Sequence, residues 1–200
     1  VNKKGSAYSD YSTSFAIFGE VTRSLFNDRL KLTGGLRYFE DRVRNQPFSI
    51  SSDAAAPLIP SRYKFSKISP RAVITWLPTR NFMAYASYSE GFRSGLAQSP
   101  SVKARFPNFG PVKSDNLTNY EVGSKGDFLN GTFGYEVAVY HTKWAGIQQQ
   151  LLTPFVGANG QTTNVSAVVN GGTASGLGFD IGLTMRPSRN FTVAMNYSWN

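Results

Sequence analysis

The stretch LGFDIGLTM, residues 177–185, decides the fold. Leu177, Phe179, Ile181, Leu183 and Met185 alternate with Gly178, Asp180, Gly182 and Thr184. Only an extended strand sends successive side chains to opposite faces in this way. The next residues, RPSRN (186–190), read as a turn. FTVAMNYSWN (191–200) then resumes the pattern, with Phe191, Val193, Met195, Tyr197 and Trp199 set against Thr192, Ala194, Asn196, Ser198 and Asn200. Two alternating runs joined by a short turn make a β-hairpin.

The same unit recurs toward the N-terminus. Phe133, Tyr135, Val137, Val139 and His141 alternate with small or polar neighbours, and LTNYEVGSKGDF (117–128) precedes them across Asn130-Gly131, a strong hairpin dipeptide. KISPRAVITW (67–76) and NFMAYASYSEGF (81–92) flank LPTR, and STSFAIFGEVTRS (12–24) and RLKLTGGLRYFEDR (29–42) flank LFND. The reading is all-β, with about eight antiparallel strands in four up-and-down hairpins. Tight turns fall near residues 26, 79, 130 and 188, and long connections span about 43–64, 93–116 and 146–169. Short turns at one end and long loops at the other is the polarity of an outer-membrane barrel, whereas soluble sandwiches mix loop lengths at both ends.

The two faces suit this reading, although a soluble sandwich would bury the same apolar face. One is apolar and ends in aromatic residues, as a lipid-facing band with interfacial girdles requires; the other carries Arg71, Glu121, Lys125, Glu136 and Asp180 among Gly, Ser, Thr and Asn. These five are expected to face a wet lumen, where cross-strand ion pairs support the sheet.

Composition excludes much else. Of 200 residues, 16% are charged, 14% are aromatic and 19 are glycine, a balance unlike that of a helical bundle. The absence of cysteine removes disulfides, thiolate metal sites and cysteine nucleophiles, and the single histidine, His141, lacks partners for a metal or a triad. No catalytic residue, metal site or cofactor is expected. Glu121 and Glu136 are the one carboxylate pair worth weighing as a glycosidase couple, but neighbouring Lys125 keeps both ionised and leaves no acid. The net charge of +9 is scattered singly along the chain rather than gathered into a nucleic-acid-binding element. No apolar run approaches the length of a membrane helix.

Several phrases, in order and spacing, resemble the C-terminal barrel of TonB-dependent outer-membrane receptors. They are Ser69-Pro70-Arg71 followed by Tyr85, Ser87, Ser89 and Gly91-Phe92-Arg93, then Tyr120, Glu121, Gly123 and Lys125, then Asn170, Gly171, Gly172, Ala174 and Gly178. Phe18 to Glu20 and Leu32 to Tyr38 resemble the hairpin that precedes them. The chain departs from the family pattern in having Asp115 or Asn116 upstream of the Tyr-Glu phrase and Asp180 where a glutamate is usual. The resemblance implies a bacterial outer-membrane location and a portion, residues 1–200, of a larger 22-stranded barrel whose plug domain and TonB-engaging segment are absent here. It also implies uptake of a ferric siderophore or similar scarce nutrient with energy relayed by TonB, and contact with outer-membrane lipid and lipopolysaccharide. The rival reading is a stand-alone eight-stranded barrel with a structural or adhesive role, since eight strands can close around a side-chain-filled lumen.

Within the second long connection, Arg93, Lys103, Arg105 and Lys113 lie among Phe106 and Phe109, opposed by Asp115 alone. Cations suit an anionic chelate and aromatic faces suit its rings, so Arg93, Lys103, Arg105, Phe106, Phe109 and Lys113 are the expected ligand contacts.

Overall fold

The computed structural model describes residues 7–49 and 60–200. Ten strands and one short helix follow in order: β1 (Ala7–Leu25), β2 (Leu30–Ser49), β3 (Ser61–Thr79), β4 (Phe82–Arg93), α1 (Pro100–Arg105), β5 (Asp115–Phe128), β6 (Phe133–Ala145), β7 (Gln148–Val156), β8 (Thr162–Asn170), β9 (Thr173–Ser188) and β10 (Phe191–Trp199). Eight of them form one antiparallel sheet in the order β1-β2-β3-β4-β5-β6-β9-β10, while β7 and β8 pair only with each other. The four hairpins expected from the sequence are the four tight-turn pairs of this sheet. It does not close: β1 and β10 stand at opposite edges, which argues against the stand-alone eight-stranded barrel.

The turns carry the backbone chemistry that their residues favour. Asn130 and Gly131 both take positive φ, and the Thr132 N–H donates to the Leu129 carbonyl at 3.1 Å. That left-handed pair matches the right-handed twist of the flanking strands. Asn27 and Asp28 do the same in the first hairpin, closed by the Arg29 N–H on the Phe26 carbonyl at 3.3 Å.

Register assigns the faces, because directly paired residues share one. Val122 pairs with Val139, Val139 with Phe179 and Phe179 with Trp199, so the apolar sets of β5, β6, β9 and β10 are continuous. Two aromatic bands bound this face. Toward the turns, Trp76 meets Phe82 at 5.9 Å and Phe128 stacks on Phe133 at 5.6 Å; toward the loops, Tyr88 meets Tyr120 at 5.3 Å and Tyr120 stacks on His141 at 6.5 Å. From Phe128 to Tyr120 is about 27 Å along the strand, or about 20 Å along the axis at a tilt of about 40°, close to the apolar height of an outer-membrane barrel. His141 thus stands in the loop-side aromatic band.

β1, β2 and β3 have 19, 20 and 19 residues, well beyond the roughly 9–11 that cross a bilayer, so their loop-side halves project past it. Much of the expected first connection is therefore strand; its middle, residues 50–59, lies outside the described residues.

Two further corrections concern the long connections. Residues 146–169 are largely the β7–β8 hairpin rather than loop. Its turn is made by Asn159-Gly160, with Gly160 at φ +72° and its N–H on the Gly157 carbonyl at 2.9 Å. Within 93–116 lies α1, begun by Ser99, whose hydroxyl accepts from the Val102 N–H at 3.3 Å, and by Pro100 at the first helical position. Ser-Pro at a helix start is a favoured pair, because proline lacks the N–H that the first turn leaves unpaired.

Candidate functional site

At the loop end of the sheet, residues 94–114, α1 and the β7–β8 hairpin pack into a cap. Its apolar centre is Val102, Val165 and Ala167, with Phe106, Phe109 and Phe155 packed against them. Phe106 stacks on Phe109 at 5.1 Å and meets the edge of Phe155 at 5.8 Å. The expected ligand aromatics Phe106 and Phe109 therefore spend their rings largely on the cap itself.

Polar side chains weld the cap to the strands. Asn170 donates to the carbonyls of Lys113 and Gly146 at 2.8 and 2.9 Å and accepts from the Lys113 N–H at 2.7 Å. Gln98 donates to the Val168 carbonyl at 2.6 Å, and Gln148 to those of Ser94 and Lys113 at 2.8 and 3.0 Å. Asp115, only 2% exposed, receives the Arg93 Nε and Nη2 at 3.1 and 2.5 Å, the Arg93 backbone N–H at 3.2 Å and the Gln148 N–H at 3.3 Å. Burial pushes its carboxyl up, but the Arg93 guanidinium and the Gln148 N–H outweigh that and hold it below the usual carboxylate range. Arg93 also lies over Trp144, 5.5 Å from the ring centroid. It is a strut rather than an unengaged cation.

Above Arg71 the β3–β4 ladder ends, and the chain after β4 crosses the polar side of β2 and β3. Phe92 meets Phe39 at 5.1 Å, Ser94 donates to Asp41 at 2.8 Å, and Gly95 sits against Phe65. This leaves a cavity of about 760 Å³ between the cap and the upper ends of β1 and β2, with Asp10, Gln98, Ser99, Arg105, Gln150 and Asn164 in its walls. Its size is that of small-molecule sites. Lys103 lies over Tyr63 at 5.3 Å and Arg105 over Phe155 at 5.6 Å, with Arg105 also donating to the Ser101 carbonyl at 3.2 Å. Lys103, Arg105 and Lys113 form no ion pair with a carboxylate among the described residues. Of the six expected contacts, Arg105 lines the cavity, Lys103 is presented near it, and Arg93, Phe106, Phe109 and Lys113 build its frame. Sequence reasoning did not name Gln98, Gln150 or Asn164; the Asn159-Gly160 turn was the signal that would have placed the latter two on a hairpin.

The polar face of the sheet holds Arg71, Glu121, Lys125, Glu136 and Asp180 together. Lys125 is directly opposite Glu136, and Asp180 is opposite Ala138 and Ser198. Arg71 pairs with Glu20 at 2.5 Å, a partner the sequence reading did not name. Glu121 accepts from Tyr85 at 2.6 Å and Asn119 at 3.3 Å, so it is held by neutral donors. Its register partner on β6 is Tyr140, four residues from Glu136, which separates the two glutamates by about 13 Å along the strands and beyond glycosidase spacing. Two glycines here make room for rings: a Cβ on Gly123 would fall 2.5 Å from the Tyr85 ring, and one on Gly178 2.5 Å from the Tyr140 ring.

Residues 2–200 match the family described as TonB dependent receptor-like, beta-barrel. The chain belongs to that family. Its barrel fold also appears in solved structures of low identity. The ferric yersiniabactin uptake receptor FyuA from Yersinia pestis is 16% identical over 97% of this chain and 28% of its own, with a TM-score of 0.70. The siderophore receptor PiuA from Acinetobacter baumannii is 17% identical over 96% of this chain and 26% of its own, again at 0.70. The copper transporter OprC is 18% identical over 95% of this chain and 29% of its own, at 0.59. The chain thus spans under a third of these proteins. As a TonB-dependent receptor barrel it lies in the outer membrane of a Gram-negative bacterium, its apolar face toward lipid.

Proposed function

We propose that these residues form part of the barrel wall and outer cap of a receptor that takes up a ferric siderophore or a similar scarce nutrient complex, driven by TonB. The match to the receptor family along residues 2–200 carries this reading; the FyuA and PiuA neighbours support it at the level of fold. The family is one of transporters and not of enzymes. Loops lie on the cell exterior, tight turns face the periplasm, and Arg71, Glu121, Lys125, Glu136 and Asp180 line the lumen. A plug domain and the TonB-engaging segment belong to other parts of the polypeptide.

Lys103 and Arg105 are the ligand-contacting cations, with Arg93, Phe106, Phe109 and Lys113 supporting the surface they stand on. An anionic chelate gains from cations that form no ion pair with a described carboxylate, and Gln98, Gln150 and Asn164 supply hydrogen bonds that fix its orientation. The test is uptake of radiolabelled ferric siderophores by iron-starved cells carrying or lacking the complete gene, with and without TonB. TonB-dependent uptake lost on deletion and restored by the gene supports the reading. Unchanged uptake across a panel of chelates and other scarce nutrient complexes overturns it.

A further inference from the structure

Three asparagines of the chain stand directly before glycine, in Asn130-Gly131, Asn159-Gly160 and Asn170-Gly171. An asparagine in that position can cyclise onto the next backbone nitrogen, because glycine has no Cβ to shield it. The reaction asks two things of the fold. The glycine N–H must be free to give up its proton, and the asparagine amide must be free to turn toward the nitrogen. The three dipeptides are equivalent in sequence and differ in both respects in the structure.

Asn170 is held most tightly. Its amide donates to the carbonyls of Lys113 and Gly146 at 2.8 and 2.9 Å and accepts from the Lys113 N–H at 2.7 Å, while the Gly171 N–H donates to the Ile147 carbonyl at 2.6 Å. Asn159 is exposed, yet its Oδ1 accepts from the Gln161 N–H at 3.1 Å, and the Gly160 N–H is spent on the Gly157 carbonyl at 2.9 Å. Asn130 has neither restraint. Its turn is closed by the Thr132 N–H on the Leu129 carbonyl, which leaves the Gly131 N–H with no acceptor among the described residues. The Asn130 side chain is exposed and makes no hydrogen bond among them. A cation stands beside this bond: Arg186 Nη1 donates to the Gly131 carbonyl at 3.4 Å and lies 4.0 Å from Asp127. Nearby positive charge favours both the nitrogen anion that attacks and the carboxylate that results.

We propose that Asn130 is a site of spontaneous deamidation in the folded receptor, cyclising onto the Gly131 nitrogen ahead of Asn159 and Asn170. A bond forms between the Gly131 nitrogen and Cγ of Asn130, the Cγ–Nδ2 bond breaks, and the Gly131 proton leaves with Nδ2 as ammonia. Water then opens the ring. Attack at Cγ gives an aspartyl residue at position 130; attack at the main-chain carbonyl gives an isoaspartyl residue, whose main chain is longer by one methylene. Nothing is oxidised or reduced. The two positive φ angles that fit this turn to its strands depend on ordinary chain geometry, so the isoaspartyl form cannot reproduce them. The proposal rests on the hairpin alone and not on the transported nutrient.

The experiment ages the complete receptor, folded in mild detergent, at mildly alkaline pH. After digestion each Asn-Gly peptide is followed by mass spectrometry, and isoaspartyl product is counted with an isoaspartyl methyltransferase and a labelled methyl donor. Position 130 is expected to lose ammonia at least about tenfold faster than 159 or 170, the order of effect that breaking a backbone hydrogen bond imposes on the other two. In denaturant, where those bonds are gone, the three rates should fall within about threefold of one another. Asn130→Gln should abolish most methyl labelling of the folded receptor, since the longer side chain closes the ring far more slowly. Equal rates in the folded receptor, faster loss at 159 or 170, an unchanged ratio in denaturant, or undiminished labelling of Asn130→Gln overturns the proposal. The wild-type comparison decides it by itself if that variant fails to fold.

Discussion

In the eight-stranded sheet Val122, Val139 and Met195 stand 62%, 54% and 57% exposed, whereas in the cap Val102, Val112 and Ala167 are 0%, 2% and 1% exposed. The hydrophobic residues that are buried among those described, Val165 included, all belong to the cap. The difference follows from solvent. At membrane level lipid takes the place of a core, and the sheet needs only a closed backbone ladder and an apolar outer face. Above the membrane water returns, so the loops must bury apolar side chains against one another and satisfy every buried polar group.

The sharpest break of that contrast is a charge on the lipid side. Val137→Arg, midway between the two aromatic bands, is expected to cost about 2–4 kcal/mol in a bilayer folding assay of the complete receptor. Ala138→Arg, on the opposite face beside Asp180, should cost much less. Equal costs would mean that both faces see the same medium.

The cap should fail for the opposite reason. Arg93→Ala leaves the buried Asp115 carboxylate with the Trp144 side chain and backbone N–H groups as its donors and no countercharge, and a loss of about 1–3 kcal/mol is expected, tempered by the half-exposure of Arg93. Limited proteolysis should then cut within 94–114 or 146–172 while the sheet stays intact. Simultaneous loss of heat-modifiability would show that cap and sheet form one cooperative unit.

On the lumen side Gly178→Ala tests whether ring space matters. The added methyl meets the Tyr140 ring at 2.5 Å and the Trp199 carbonyl at 2.8 Å, for an expected cost of about 1–2 kcal/mol by overpacking. Combining it with Tyr140→Ala should recover part of that loss.

Charge effects in the cap should be kinetic. Neutralising Lys103 and Arg105 together is expected to slow ligand association several-fold at low salt and little at physiological strength, where screening acts over about 8 Å. Stopped-flow or whole-cell binding at two ionic strengths decides it.

The smallest effect concerns Glu40, beyond the aromatic band. Hydrogen bonds from Lys64, Tyr38 and Arg42 hold its carboxyl down at about 2 from an ordinary 4.5. A group depressed in the folded state adds stability that is present above its unfolded value and is lost as pH falls through the folded one. Denaturant midpoints of wild type and Glu40→Gln should therefore converge between about pH 4.5 and 2.

How far the sequence could be read depended on the range of each interaction. Strands, faces and tight turns were legible because period-two alternation and Asn130-Gly131 act over a few residues. The β7–β8 hairpin was not, because Pro154 and a polar run of glutamines obscured its alternation, although Asn159-Gly160 marked its turn. Helix α1 was equally readable in Ser99-Pro100, but six residues carry no periodicity.

The sequence by itself determined that the chain forms antiparallel strands with one apolar and one polar face, since alternation along each strand fixes both; that the apolar face meets lipid follows from the match to the receptor family. Only the tertiary structure decided which loop cations are committed and which are presented. Arg93, Lys103, Arg105 and Lys113 look alike in sequence. Arg93 is held by Asp115, 22 residues away, and its neighbours in the cap are fixed by contacts such as Gln98 to Val168, 70 residues apart. Such pairings arise when distant segments share one buried layer, and no local pattern records them.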